Sequence, residues 1–216
     1  MVIAIDGPGG VGKSTVSQRV ATLLGLVHLD TGSTYRAATL VAVKGGIDPA
    51  DAAAVTAAVA ASTIDYRDGR ILLDGRDVSA EVRSAEVTAA VSAVSAIPAV
   101  RSRIVAMQRK WVVDRGGDAV VEGRDIGTVV FPNADVKVYL TATPEVRAAR
   151  RTGDAEAGSL DVDAVAADLR RRDHLDSSRE VAPLRPAEDA HIVDTSELNL
   201  DQVVAAVLRL YELADR

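Results

Sequence analysis

The amino-acid sequence predicts an α/β fold, a three-layer, doubly wound arrangement in which a five-stranded parallel sheet lies between helices. Two observations lead to this prediction. Five short apolar segments with the length of buried strands alternate with helical segments along the chain. A glycine-rich loop joins the first strand to the first helix. Because ligands of such sheets bind at the carboxyl ends of the strands, we expect functional residues directly after each strand.

The individual elements follow from apolar spacing and from stop signals. In chain order they begin with a strand at Val2–Asp6, a helix at Lys13–Leu24 ended by Gly25, a strand at Val27–Asp30, a helix over 33–44 ended by Gly45-Gly46, and an alanine-rich helix from Asp48-Pro49 to 61. After an intervening segment come helices over 86–96 and 99–115, strands over 119–122 and 136–140, a helix over 144–151, a loop over 152–159, a helix over 160–174, a strand at His191–Asp194 and a helix over 199–214.

The intervening segment, residues 64–78, has a different pattern. Asp68-Gly69 and Asp74-Gly75 each stand next to apolar residues. Asp-Gly is a preferred pair for the tight turn of a β-hairpin, because both turn residues readily adopt positive φ. We therefore expect a small antiparallel sheet here, inserted into the larger fold.

The composition argues against several classes of function. The net charge of −6 disfavours a broad nucleic-acid surface, and the absence of cysteine excludes disulfides and thiol chemistry. No apolar run approaches the length of a membrane span. We expect a soluble cytoplasmic protein with no nucleic-acid partner and no membrane partner.

The loop at 7–15 fits the pattern G-x-x-x-x-G-K-[ST], which binds the phosphates of a nucleoside triphosphate. Its residues are Gly7, Pro8, Gly9, Gly10, Val11, Gly12, Lys13, Ser14 and Thr15. The glycines let backbone N–H groups converge on an anion at the positive end of the following helix. Lys13 would reach the outer phosphates, and the Ser14 hydroxyl would join the shell of a Mg²⁺ ion. The alternative is a plain glycine-rich turn.

Further motifs extend over nearly the whole chain. They are Ile5-Asp6-Gly7-Pro8, Asp30-Thr31-Gly32-Ser33-Thr34-Tyr35-Arg36, Glu122-Gly123-Arg124-Asp125-Ile126-Gly127-Thr128-Val129-Val130-Phe131-Pro132 and Val181-Ala182-Pro183-Leu184. In these segments the chain resembles the bacterial cytidylate kinases, a family of nucleoside monophosphate kinases. The resemblance implies a single P-loop kinase domain over 1–216, with a monophosphate-binding insertion over 33–100 and a short mobile lid over 150–175. It also implies a monomer that transfers the γ-phosphoryl group of ATP to CMP or dCMP in pyrimidine nucleotide metabolism.

The resemblance assigns roles to several cationic residues. Phosphoryl transfer to a phosphate oxygen requires positioning and neutralisation of charge rather than a general base. The implied catalytic residues are Lys13, Arg124, Arg150 and Arg151, and Arg147 is a further implied lid arginine. Arg36 and Arg124 resemble the clamps on the acceptor phosphate. For each arginine the alternative is a solvated surface residue, which would contribute little.

The segment 172–179 resembles a second cluster of arginine and aspartate in that family. Arg179 would reach a phosphate, Asp176 would accept hydrogen bonds from the ribose hydroxyls, and Arg172 would support Asp176. Leu175 and Ser177 stand where many relatives carry charged residues, and the number of lid contacts is therefore open. A plain charge run at a helix end is the alternative.

Recognition of the base follows from hydrogen-bond polarity. Cytosine presents an amino donor and two acceptors, so a carboxylate should meet the amino group and arginine or serine the acceptors. Asp125, Arg101 and Ser92 resemble the family's residues in these roles, and Thr31 and Tyr35 complete the implied CMP site. Uracil would turn an acceptor toward Asp125 and leave a buried charge unmatched. The alternatives are a small packing residue for Ser92 and an exposed helical residue for Arg101.

The sequence leaves the partner of the metal ion and the reaction class open. Asp30 and Glu122 both end strands near the loop, and either would hold waters of a Mg²⁺ ion. Another small P-loop kinase with a different acceptor is one alternative function. A nucleotide switch is a second, but the Asn/Thr-Lys-x-Asp segment that reads guanine is absent from the sequence. A structural interaction module would not need Lys13 and the convergent arginines.

Overall fold

The structure, a computed structural model, describes residues 1–153 and 162–215. The described chain divides into two compact units, one from Met1–His28 with Arg115–Arg216 and the other from Leu29–Asp114. The loop predicted over 152–159 and the first residues of the helix predicted over 160–174 fall mainly on 154–161, and these lie outside the described residues.

The elements are numbered in chain order. The strands are β1 Val2–Asp6, β2 Val27–Asp30, β3 Ile64–Arg67, β4 Arg70–Leu73, β5 Arg76–Asp77, β6 Ala119–Gly123, β7 Val136–Thr141 and β8 His191–Asp194. The helices are α1 Lys13–Leu24, α2 Thr31–Lys44, α3 Ala52–Ala61, α4 Ala85–Ala96, α5 Pro98–Val113, α6 Pro144–Gly153, α7 Val162–Ser177 and α8 Leu200–Ala214. Short helical turns lie at Glu81–Arg83 and Ile126–Val130.

The larger sheet has the strand order β2-β6-β1-β7-β8. The central strand β1 pairs in parallel with β6, where Ile5 lies opposite Glu122, and with β7, where Ile5 lies opposite Val138. Strand β7 pairs in parallel with β8. The chain passes from one side of β1 to the other between β6 and β7, and ligands of open α/β sheets bind at such a switch point. The predicted five-stranded parallel sheet is confirmed.

An aliphatic core holds α1 and α8 to this sheet. Val16 and Val20, one turn apart on α1, pack in the same cluster as Ile3 and Ile5 of β1. Val207 of α8 belongs to the same cluster and is fully buried. This packing positions the first turn of α1, where the phosphate-binding loop ends.

The second unit contains α2 to α5 and the predicted antiparallel sheet, in the order β3-β4-β5. Its two tight turns have positive φ at both residues: 51° and 74° at Asp68 and Gly69, and 50° and 78° at Asp74 and Gly75. These are the values that the Asp-Gly pairs predicted. A separate core of Tyr35, Val55, Val59 and Ile104 with their neighbours packs α2, α3, α4 and α5 together.

The predicted starts of α2 and α3 are wrong by two or more residues, and capping explains both. Helix α2 begins at Thr31 rather than at residue 33, because the Asp30 side chain accepts a hydrogen bond from Ser33 N at 3.1 Å. Helix α3 begins at Ala52 rather than at Asp48-Pro49, because Asp51 caps it by accepting from Ala54 N at 3.0 Å.

Among the described residues, no single helix has the length and apolar composition needed to cross a membrane. The pair α4 and α5 passes that test by length and composition when the two are taken together, with a bend of 96° between them.

Candidate active site

The phosphate-binding loop connects β1 to α1, as its motif requires. Gly7 approaches β7 so closely that a Cβ atom at this position would lie 2.2 Å from the Leu140 carbonyl oxygen. Gly12 has a φ of +89°, and its carbonyl accepts a hydrogen bond from Val16 N at 3.1 Å. The loop therefore brings the N-terminus of α1, with its positive dipole, to the carboxyl end of β1.

The Lys13 ammonium is held on the loop itself. Its Nζ donates to the carbonyl oxygens of Gly7 at 2.8 Å and Pro8 at 2.7 Å. Burial, followed by the nearby Arg124 guanidinium, lowers the pKa of Lys13 to about 7 against the opposing effect of Glu122. Lys13 as a whole is partly exposed to solvent, but its ammonium group is enclosed by the loop. A polyphosphate bound at this loop would favour the charged form.

Polar contacts connect Ser14 to the end of β6. The Ser14 hydroxyl donates to Glu122 Oε2 at 2.9 Å. Glu122 Oε1 lies 3.2 Å from His28 Nε2, which in turn lies 2.9 Å from Ser17 Oγ. Because Glu122 is only 2 % exposed, these contacts hold its carboxylate toward Ser14. A hydroxyl and a carboxylate are oxygen donors of the kind that Mg²⁺ prefers, so this pair fits the predicted ion.

Three arginines donate to alternate carbonyl groups of the loop. Arg124 Nη1 donates to Gly7 O at 2.7 Å, and Arg147 Nε donates to Gly9 O at 2.7 Å. Arg150 Nη1 lies 3.4 Å from Val11 O. Arg147 is buried and also pairs with Asp173, so the alternative of a solvated helix face is wrong for it. Arg151 follows in α6 and is partly buried. The structure thus gathers Lys13, Arg124 and Arg150 at one loop.

Asp176 joins the same group through Arg124. Arg124 Nε donates to Asp176 Oδ2 at 2.9 Å, and Asp176 Oδ1 lies 3.8 Å from Arg179 Nη1. Arg172 pairs instead with Asp168, one turn earlier on α7. The structure therefore gives Asp176 its support from Arg124, where the sequence predicted Arg172. Asp168 and Asp176 are each four residues from Arg172, and because helical side chains lean toward the N-terminus, Arg172 pairs with Asp168.

The helical turn Ile126–Val130 follows directly after Asp125. Asp6, the last residue of β1, accepts hydrogen bonds from Ile126 N and Gly127 N, each at 2.8 Å, with its two carboxylate oxygens. Burial raises the pKa of Asp6 to about 6, although both N–H groups oppose the rise. Asp6 was not among the predicted site residues. The signal for it in the sequence is a carboxylate at the end of an otherwise apolar strand.

In the second unit, α2 carries three of the predicted CMP-binding residues. Thr31 and Tyr35 lie one turn apart and are buried. Arg36 is partly buried, and its Nη1 donates to Val82 O at 3.0 Å and to Thr88 Oγ1 at 2.9 Å. These contacts hold the guanidinium in one place within the unit.

Arg101 is buried within the second unit. It is 3 % exposed, its guanidinium carbon lies 5.2 Å from the centre of the Tyr35 ring, and its Nη1 donates to Ser95 O at 3.0 Å. The alternative of an exposed helical residue is therefore wrong for Arg101. Ser92 is also buried, and its carbonyl accepts from Ser95 Oγ at 3.2 Å. A guanidinium stacked on an aromatic ring keeps a fixed plane for recognition of a flat ligand.

The predicted CMP-binding residues are thus divided between the two units. The first contains Arg124, Asp125, Arg172, Asp176 and Arg179, and the second contains Thr31, Tyr35, Arg36, Ser92 and Arg101. Their assignment to one CMP site stays a prediction.

The fold and the loop together define a class of protein. A parallel sheet whose central strand leads into a phosphate-binding loop, with a lysine on the loop and arginines on its carbonyl groups, is the architecture of a P-loop kinase. Comparison with known sequences places the chain within that class. It matches the cytidylate kinase family over residues 3–213, and it belongs to that family.

Individual relatives agree with this assignment. The chain is 55% identical over 210 residues to a cytidylate kinase of Mycolicibacterium paratuberculosis, covering 94% of this chain and 92% of the relative. It is 54% identical over 212 residues to a cytidylate kinase of Mycobacterium leprae, covering 97% and 95%. Among solved structures, an uncharacterized protein from Eubacterium ventriosum aligns over 98% of both chains with a TM-score of 0.54 at 11% identity, which shows a shared fold.

Proposed function

We propose that this protein transfers the γ-phosphoryl group of ATP to CMP or dCMP, giving ADP and CDP or dCDP, in pyrimidine nucleotide metabolism. The observation that carries the proposal is the set of cationic side chains around one phosphate-binding loop, Lys13, Arg124, Arg147 and Arg150. Transfer between two nucleotides gathers several phosphate charges at one place, and fixed cations are the groups that stabilise them. Membership of the cytidylate kinase family supports CMP as the acceptor.

The chemistry requires positioning more than proton transfer. The attacking atom is an oxygen of the acceptor phosphate, which is already anionic and needs no base. Lys13 would neutralise the outer phosphates of ATP, while Arg124 and Arg150 would stabilise charge on the transferred group. Arg124 is tied both to the loop and to Asp176, so its guanidinium needs little reorganisation when phosphates bind.

A Mg²⁺ ion would accompany the ATP. Ser14 and Glu122 would hold it, Ser14 by its hydroxyl and Glu122 through water, and the ion would neutralise phosphate charge. Asp30 is the weaker candidate, because its carboxylate already accepts hydrogen bonds from Ser33 N and from the Ser33 hydroxyl. The contact of Glu122 with Ser14 supports the choice between these carboxylates.

Cytosine would be read by Asp125 on its amino group and by Arg101 and Ser92 on its acceptors. Burial of all three side chains supports this assignment, because a buried carboxylate or guanidinium discriminates sharply against a ligand that leaves it unpaired. Thr31, Tyr35, Arg36, Arg172, Asp176 and Arg179 would complete the site. We infer that the segments 33–100 and 150–175 act as the monophosphate-binding region and the lid of one kinase domain.

The protein is further proposed to act as a cytoplasmic monomer, on small nucleotides rather than on a nucleic acid or at a membrane. The net charge of −6 and the absence of cysteine support this proposal. Light scattering at the outlet of a gel-filtration column would test the oligomeric state.

The proposed acceptor is tested by a substrate panel. Purified protein with ATP and Mg²⁺ is offered CMP, dCMP, UMP and AMP in parallel, and ADP formation is followed. We expect CMP or dCMP to give the highest kcat/KM. Comparable turnover of UMP or AMP would support the alternative of a P-loop kinase with another acceptor.

A further inference from the structure

We propose that Asp6 is a positioning residue for recognition of the nucleobase, acting through the helical turn Ile126–Val130 that directly follows Asp125. The proposal rests on the proposed function, in which Asp125 reads the cytosine amino group. Asp6 itself precedes the phosphate-binding loop, and none of the chemistry described above uses it.

Both carboxylate oxygens of Asp6 accept a backbone hydrogen bond from the turn. Oδ1 accepts from Ile126 N and Oδ2 accepts from Gly127 N, each at 2.8 Å. Asp6 is 4 % exposed, so water does not compete for these bonds. A buried charge that satisfies two adjacent backbone donors is costly to displace, and it therefore fixes the backbone that it holds.

The segment held by Asp6 needs such a support. Asp125 has φ and ψ of −145° and 27°, which is outside the regular helix and strand regions, and the turn after it begins at Ile126. The first N–H groups of a helical turn have no acceptor within the turn. Asp6, at the end of β1, accepts from the N–H groups of Ile126 and Gly127. Because Ile126 directly follows Asp125, these hydrogen bonds also fix the backbone of Asp125.

Arg124 is held by Gly7, the residue that directly follows β1. Its Nη1 donates to Gly7 O at 2.7 Å, while Asp6, one residue earlier, holds Ile126 and Gly127. Two consecutive residues, Asp6 at the end of β1 and Gly7 directly after it, thus hold the chain on both sides of Asp125. Loss of the Asp6 contact would release one anchor while the phosphate-binding loop keeps its own hydrogen bonds.

The experiment compares Asp6→Asn with the wild type and with Asp135→Asn. Asparagine keeps the size of the side chain but turns one amide N–H toward a backbone donor. Asp135 is an exposed carboxylate that accepts from Val2 N at 2.6 Å at the other end of β1, so it controls for loss of a carboxylate-to-backbone bond on the same strand. KM for CMP, KM for ATP and the ratio of kcat/KM for CMP over UMP are measured for each protein, with the folded state checked by circular dichroism.

We expect Asp6→Asn to raise KM for CMP and to lower the CMP/UMP ratio by about 10- to 100-fold, the loss typical of a misplaced binding group, with KM for ATP nearly unchanged. Asp135→Asn should match the wild type in all three quantities. An unchanged CMP/UMP ratio, or equal losses toward both nucleotides, would overturn the proposal. If the wild type itself does not prefer CMP, the proposed function fails instead, and the two failures are distinguishable.

A second variant approaches the same contact from the turn. A Cβ atom at Gly127 would lie 3.4 Å from Asp6 Oδ2 and 3.2 Å from Lys137 Cδ, so Gly127→Ala should crowd the Asp6 carboxylate and the Lys137 side chain, and either these groups or the turn must give by a few tenths of an ångström. We expect the same change in CMP/UMP ratio, in a smaller amount. This variant decides the question if Asp6→Asn does not fold, and an unchanged ratio in Gly127→Ala would then count against the proposal.

Discussion

Arg124 and Asp176, separated by 52 residues in the chain, form an ion pair with 2.9 Å between Nε and Oδ2. The same guanidinium donates to the Gly7 carbonyl. Arg124 is therefore the residue through which the aspartate near the end of α7 is connected to the phosphate-binding loop. Neither side chain is free to rotate away, so each depends on the other for its position.

This connection predicts non-additive effects on catalysis. Arg124→Ala and Asp176→Ala should each lower kcat/KM for CMP, but the double variant should lose less than the sum of the two. The expected coupling is on the order of 1 kcal/mol, as for residues in direct contact. Steady-state kinetics on the four proteins of the cycle measure it.

A second double-mutant cycle, which combines Asp176→Ala with a change at Arg171 on the same helix, serves as the control. Arg171 is half exposed and pairs with Asp168, so Arg171→Ala and Asp176→Ala should be additive. Additive losses for Arg124 and Asp176 as well would show that their ion pair has no part in the activity.

Lys13→Ala should lower kcat by about 10²- to 10³-fold, because it removes a preorganised positive charge from the transferred phosphates. The fold should survive, since Lys13 makes its hydrogen bonds within the loop. Arg19→Ala, at an exposed position of the same helix, should retain the wild-type kcat. Turnover by Lys13→Ala near the wild-type rate would mean that the loop does not hold the donor nucleotide as proposed.

Asp125→Asn should relax the preference for cytosine over uracil. The carboxamide can turn its N–H toward the uracil carbonyl, so the buried charge that disfavours UMP is gone. We expect the CMP/UMP ratio of kcat/KM to fall by about tenfold or more. An exposed carboxylate on α8, changed in Asp201→Asn, provides the comparison. An unchanged ratio in Asp125→Asn would remove this residue from base recognition.

The buried Asp6 makes stability depend on pH in a defined direction. Burial, with a smaller contribution from Asp125, raises the pKa of Asp6 from 3.8 to about 6, while the Ile126 and Gly127 N–H groups and Lys13 oppose the rise. At pH values between 3.8 and about 6, the Asp6 carboxyl therefore binds a proton more tightly in the folded state than in the unfolded state. The contribution of Asp6 to the free energy of unfolding is therefore present below pH 4 and is lost as the pH rises through 6.

Urea unfolding of the wild type and of Asp6→Asn at pH 4, 5, 6 and 7 would measure this effect. The stability of the wild type relative to the variant should fall by an amount on the order of 3 kcal/mol across that range, the equivalent of the shift in pKa. A constant difference between wild type and Asp6→Asn would indicate that Asp6 titrates normally.

Local patterns were sufficient for most of the fold. β1, α1, β2 and β8 have the predicted bounds, because apolar spacing and glycine stops act over a few residues. The Asp-Gly turns were predicted for the same reason. The predicted starts of α2 and α3 are wrong, because each helix has more than one candidate N-cap residue in the sequence. In the structure the caps are Asp30 and Asp51.

The amino-acid pattern alone was enough to predict the phosphate-binding loop, the order of the elements and, through its motifs, the family. These depend on the types and spacing of neighbouring residues. The pairing of Arg124 with Asp176 near the end of α7 depends instead on the tertiary structure. The tertiary structure also decided that Glu122 faces Ser14 and that Asp6 holds the turn after Asp125. These contacts join residues that are far apart in the chain, and short-range patterns do not encode which strand ends and helix ends the fold brings together.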